Sequence, residues 1–173
     1  SVSLSSDGTI IAIGAVQADG PTDPRNDNKG HVRVYQRDES NTTVAPFGWT
    51  QLGADIDGDA TGDQSGYSVS LSSDGTIVAI GAPFNDGINS YDTDNRGHVR
   101  VYQRNESNTT VAPFGWTQLG NEIDGETSGD QSGWSVSLSS DGSIVAAFDI
   151  FSDAGHVRIY QTGTNQITTT TTA

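Results

Sequence analysis

The ten residues Ser-Val-Ser-Leu-Ser-Ser-Asp-Gly-Thr-Ile open the chain at Ser1–Ile10 and return unchanged at Ser68–Ile77. They return again at Ser135–Ile144, with Ser143 in place of threonine. The spacing is 67 residues each time. A constant period of that length marks an array of supersecondary units, each burying its apolar face against a neighbour. Residues 1–67 form the first repeat and 68–134 the second. Residues 135–163 form a degenerate terminal repeat, and 164–173 a Thr-rich tail.

Each full repeat reads as four strands. Val2 and Leu4 alternate with serines, which gives a strand with one apolar face. Asp7-Gly8 then predicts a two-residue type I′ hairpin turn. The next strand, Thr9 to Ala15, is apolar on both faces: Ile10 and Ala12 on one, Ile11 and Ile13 on the other. It is expected to be covered on both sides, and Gly14 to permit close packing where the backbone leaves the sheet. After a polar loop, His31 to Arg37 alternates with Val32 and Val34 inward and Arg33 and Tyr35 on the other face. The fourth strand begins at Trp49 and runs through Gly53 towards Ile56. The expected fold is therefore all-β: tandem four-stranded antiparallel sheets, propeller-blade-like, with a 67-residue period.

The third repeat departs from this plan. Phe148 and Asp149 replace the equivalents of Gly81 and Ala82, and no Trp-Thr-Gln-Leu-Gly strand follows. The threonines at the end, Thr168, Thr169, Thr170, Thr171 and Thr172, have high β propensity. They can supply the missing strand, here or in a neighbouring molecule. Equally, they read as an O-glycosylated stalk.

Composition narrows the partners. Hydrophobic residues make up only 32% of the chain and glycines number 21, which suits short strands joined by turns. A net charge of −14 repels phosphate backbones and anionic membrane surfaces, so nucleic acid is not an expected partner. The apolar run Ile10–Ile13 is far too short to cross a bilayer, and no membrane insertion is expected. There is no cysteine to argue a redox compartment from. Opening inside a repeat without methionine is what a processed product, or a portion of a longer precursor, would show.

Three segments, Gly66-Tyr67-Ser68-Val69-Ser70-Leu71, Gly81-Ala82-Pro83 and Gly97-His98-Val99-Arg100-Val101-Tyr102, resemble the FG-GAP repeat of integrin-alpha-type β-propellers. The resemblance implies an extracellular or cell-surface propeller used in adhesion, surface attachment or fibre assembly, often with calcium. The family's calcium loop lies between the first two strands of a blade. Here that connection, Ser72 to Gly75, is too short, so the family's calcium positions are not carried over.

Several residues are candidates for modification or binding. Asn41, Asn105 and Asn108 stand in N-glycosylation sequons in the same loop of successive repeats. Covalent glycans there would shield outer sheet edges from pairing. The acidic set Asp57, Asp59 and Asp63 recurs as Asp124, Glu126 and Asp130. A second acid-rich loop holds Asp19, Asp23 and Asp27 in the first repeat and Asp86, Asp92 and Asp94 in the second. Oxygen-rich loops of this kind suit calcium. His31, His98 and His156 share one repeat position and read as residues that open a strand. The recurring Trp49, Trp116 and Trp134 and Tyr35, Tyr102 and Tyr160 read as packing within and between blades. No nucleophile–base arrangement, phosphate loop or catalytic carboxylate pair stands out, and an enzyme is not expected.

Propellers close with about four to eight blades, and this chain offers two full ones and part of a third. The leading expectation is an extracellular, glycosylated structural protein. Its copies would join head to tail or close a ring, building a filament or surface array. The alternative is a fragment of an integrin-like propeller that binds an extracellular protein or glycan, with calcium stabilising it.

Overall fold

The computed structural model describes residues 1–17, 28–86, 94–150, 156–162 and 170–172. Strands β1 (Val2–Leu4), β2 (Ile10–Ala15), β3 (His31–Arg37), β4 (Trp49–Gln51) and β5 (Ile56–Asp57) build the first sheet. β6 (Ser68–Leu71), β7 (Ile77–Ala82), β8 (His98–Arg104), β9 (Trp116–Gln118) and β10 (Ile123–Asp124) repeat it. β11 (Ser135–Leu138), β12 (Ile144–Asp149), β13 (His156–Gln161) and β14 (Thr170–Thr172) form a four-stranded third sheet. Every pairing between these strands is antiparallel. The fold is thus all-β, three propeller-blade-like sheets in tandem.

Two local details differ from expectation. The β1–β2 connection is a four-residue loop, because Ser5 already pairs with Ile10, its N–H donating to the Ile10 carbonyl at 2.9 Å. A type I′ turn needs positive φ at both central residues. Only Gly8 has it, at +70°, while Asp7 accepts from Ser5 Oγ, Thr9 N–H and Thr9 Oγ1. The outermost strand is also broken in two. β4 ends at Gln51, and Gly53, at φ +73°, turns the chain before Ile56–Asp57 rejoins β3 opposite His31 and Val32. In the third sheet, Thr170–Thr172 pair with Val157 to Ile159 of β13, within the chain itself.

The sheets stack face to face. Ala12, Val32, Val34, Leu52 and Ile56 of the first blade pack against Val69, Leu71, Val78, Ile80, Tyr102 and Trp116 of the second. The pattern repeats one blade on, where Ala79, Val99, Val101 and Ile123 meet Val145, Ala147 and Tyr160. The middle strand β7 is therefore buried on both faces, as its sequence predicts. The identical reasoning holds for only one face of β2: Ala12 is buried, whereas Ile13 stays 37% exposed.

The edge strands β1, β6 and β11 lie against one another, and this explains the serine alternation. An edge strand presents unpaired N–H groups. The N–H groups of Val69 and Leu71 donate to Ser1 Oγ and Ser3 Oγ at 3.1 and 3.0 Å. Leu138 N–H donates to Ser70 Oγ at 3.0 Å in the same way. The serines between the apolar residues thus tie each blade to the next.

Glycine makes the crossing between blades possible. A Cβ on Gly14 would collide with the Gly66 carbonyl, and one on Gly81 with the Gly133 carbonyl. At the third equivalent position the residue is Phe148. Phe148 pairs through its backbone with Ser135 and Val157, and the glycine of the first two blades is absent there.

Candidate functional site

The seam between the first two blades brings charged groups of both together. The link after β5 passes over the start of β8, so Asp57 and Asp59 come to face Arg100. Arg100 Nη1 donates to Asp59 Oδ1 at 2.7 Å, and Nη2 donates to the Asp57 carbonyl at 2.9 Å. Its guanidinium also lies 5.8 Å from the Tyr102 ring centre. Arg158 repeats this one blade on: it donates to the Asp124 carbonyl and to Ser132 Oγ, and it lies 5.8 Å from Tyr160. Arg158 additionally faces Asp149 in a buried ion pair, Nε to Oδ2 at 2.8 Å. Burial is the main influence on Asp149 and pushes its carboxyl upwards, against the pull of Arg158.

His98 opens β8 and is 1% exposed. Neither ring nitrogen has a hydrogen-bond partner. Burial, and then the Arg100 charge, push its pKa down to about 3, so the imidazole is neutral. Glu122 Oε2 lies 3.6 Å from Nδ1, too far for a hydrogen bond. Burial, and then the charge of Asp59, hold the Glu122 carboxyl above its ordinary range. One ligand atom each of Asp59, His98 and Glu122 fall within 4.8 Å of one another. Asp59 and Glu122 line a cavity of about 740 Å³ together with Arg100, Tyr102 and Trp116.

The first blade carries a related group, His31, Asp55 and Asp57. There, however, Arg33 grips both Asp55 oxygens at 2.8–3.0 Å and Gln51 donates to one of them at 2.7 Å. Hydrogen bonding from Arg33 is the first cause that keeps the Asp55 carboxyl below its usual range.

The acidic sets expected to hold calcium are not brought together. Asp63 is buried and turned into its own loop, where Oδ2 accepts from the N–H groups of Asp59 and Ala60 and from Asn85 Nδ2. Asp130 is likewise buried and accepts from Thr127 N–H and Oγ1. Asp59 is engaged by Arg100, Glu126 lies exposed, and Asp124 and Asp57 pair in their strands beside His98 and His31. Among the described residues, then, neither set offers calcium the six to eight oxygens it takes. Asp86 and Asp94 are occupied by Asn95 N–H and Arg96. Asp19, Asp23, Asp27, Asp92, Thr168 and Thr169 lie outside the described residues.

The three sequons differ in availability. Asn41 Nδ2 donates to the Trp49 and Pro46 carbonyls while its Oδ1 accepts from Val44 N–H, so the side chain staples its loop. Asn108 repeats that arrangement with Trp116, Pro113 and Val111. Asn105 is exposed, and its Nδ2 makes a single bond, to Thr117 Oγ1 at 3.0 Å. It is the sequon whose amide nitrogen is freest to carry a glycan.

In the sequence Glu122 and Asp55 do not stand out, and His98 reads as a residue that opens a strand. The signal was present: an acid at position 55 returns at 122, one repeat on, as His31 returns at 98. What the sequence does not display is that Asp59 of one blade reaches the histidine of the next.

No family model matches this chain, and no curated protein matches it. Among solved structures it is similar to TolB from Acinetobacter baumannii, at 13% identity and a TM-score of 0.48. The match covers 98% of this chain and 31% of that one, so the chain spans about a third of the length of the protein it matches.

Proposed function

We propose that this chain is a non-catalytic building block of an extracellular, glycosylated array, in which blades of separate copies stack head to tail. One observation carries the reading. The outward face of the first blade, Val2, Leu4, Ile11, Ile13 and Tyr35, is the repeat equivalent of Val69, Leu71, Val78, Ile80 and Tyr102, which are buried against a neighbouring sheet. Val2 and Leu4 are 67% and 58% exposed, whereas Val69 and Leu71 are each 7% exposed. A surface already shaped to receive a blade face is left without one. The far side of the third blade offers such a face, with Ile144, Val157 and Ile159 all exposed. A head-to-tail contact that does not close generates a filament. The sequon at Asn105 and the acidic surface agree with an extracellular or cell-surface setting.

Negative-stain electron microscopy of the purified chain tests the reading. Linear or ring-shaped assemblies are expected. Dispersed single particles across the accessible concentration range would overturn it.

The FG-GAP resemblance supports a second reading, a fragment of an integrin-like adhesion propeller. In that case another blade of the same ring covers Val2 and Leu4, and the partner is an extracellular protein or glycan. Calcium would stabilise it through loops other than the two acidic sets described above. A thermal shift with calcium that is reversed by chelator favours this second reading, and a flat response removes the metal from it.

A further inference from the structure

We infer that Asp59, His98 and Glu122 form a binding site for a divalent metal of the zinc type, placed at the seam between the first two blades. The three side chains come from separate segments: the link after β5, the first residue of β8, and the turn before β10.

His98 points to a ligand independently of the acids. Buried polar side chains are almost always paired, yet both nitrogens of this imidazole are buried with no partner. Nδ1 and Glu122 Oε2 are 3.6 Å apart, too far for a hydrogen bond. Ligands bound tetrahedrally at about 2.0–2.2 Å stand roughly 3.3–3.6 Å from one another. A neutral imidazole with two carboxylates suits zinc and its neighbours, whereas calcium prefers oxygen alone.

The remaining groups allow it. Arg100 takes Oδ1 of Asp59 and leaves Oδ2 without a hydrogen bond among the described residues. Glu122 accepts no hydrogen bond among them either, so its carboxylate is uncommitted. The single guanidinium is outnumbered by Asp59, Glu122 and Asp124, which share its surroundings. Both acids line the cavity, so a fourth ligand, a water or an incoming group, has room to bind. The related group in the first blade does not qualify, because Arg33 and Gln51 occupy both oxygens of Asp55. A metal here would join the link of one blade to the strand of the next and so fix their angle.

The test is calorimetric titration of zinc alone into the chelator-treated chain, repeated with cobalt(II) and followed by visible absorption. One equivalent should bind, cobalt should show the intense bands of a tetrahedral site, and zinc should raise the melting temperature. Glu122→Gln and Asp59→Asn should each weaken binding by about tenfold or more. His31→Gln should leave it unchanged. His98→Gln is the most direct variant. Glu122 and Asp59 are exposed enough for their substitutions to be read even if the His98 change unfolds the chain. Absence of stoichiometric binding, or wild-type affinity in both carboxylate variants, would overturn the site. Running the same titration on Leu4→Glu, which alters the outer face of the first blade, separates metal binding from assembly.

Discussion

The first and second blades are nearly the same sequence in two different environments. Trp116 is 1% exposed and its indole N–H donates to the Leu52 carbonyl of the preceding blade at 2.8 Å. Its counterpart Trp49 has no preceding blade among the described residues and is only half-buried. Arg100 reaches back across a seam to Asp57 and Asp59, whereas Arg33 turns to Asp55 of its own blade. Identical residues therefore do different work according to what lies against them. Burial in this protein is a property of a blade's place in the stack. The apolar pattern of the first blade is a specification that the chain as described leaves unfilled.

That comparison can be broken most severely at the tryptophans. Trp116→Ala should lower unfolding stability by about 3–5 kcal/mol in urea titrations, by losing both the cavity contacts and the cross-blade hydrogen bond. In the dispersed monomer, where the first blade is uncovered, Trp49→Ala should cost less than about 1.5 kcal/mol. Equal effects would mean that the first blade is covered in solution, which assembly would bring about. Running both at low and high protein concentration makes the distinction.

A second pair contrasts the arginines. Arg158→Met strands the buried Asp149 carboxylate and should cost about 3 kcal/mol. Adding Asp149→Leu should recover part of that loss, because both charges are then gone. Arg33→Met removes a pair whose arginine side chain is 44% exposed, and should cost no more than about 1 kcal/mol. A larger loss at Arg33 would show that its face is desolvated by a partner.

The smallest effect concerns acid. Asp7 and Asp141 are held down to about 2, the first chiefly by the N–H of Thr9 and the second chiefly by the hydroxyl of Ser139. Asp74 is lowered in the same manner, first by Ser72. A carboxylate whose folded pKa lies below its unfolded value, about 3.9, adds stability above that value. The contribution fades as pH falls from about 4 towards 2. Replacing the three with asparagine should lower the melting temperature at neutral pH, where the carboxylates contribute, and flatten its fall over that window, so that variant and parent converge towards pH 2. An unchanged acid slope would locate the acid sensitivity elsewhere.

How much of this was legible depended on whether the cause was local. Strand positions followed from alternation and period, because Val32, Val34 and Ile10 to Ile13 carry their own pattern. The tight Gly14 and Gly81 were readable because only glycine tolerates such an approach. The break after Gln51 was not, since Gly53 is shaped by Phe114 and Trp116 of the following blade: Ala54 N–H donates to the Phe114 carbonyl at 2.8 Å. The serines looked like a polar face, but their partners are N–H groups a full repeat away. Asp63 and Asp130 looked like calcium ligands because composition cannot say which way a carboxylate turns. The His98 group was hidden for the same reason, as its third member belongs to another blade.

The central claim is that the outer face of the first blade receives a blade of a second copy. Sedimentation velocity over a concentration series, comparing the chain with Leu4→Glu, tests it most directly. Circular dichroism would confirm that both remain folded. The account predicts concentration-dependent growth of the unsubstituted chain beyond a monomer and a monomer for Leu4→Glu. A monomer in both cases, or association that Leu4→Glu leaves intact, would contradict it.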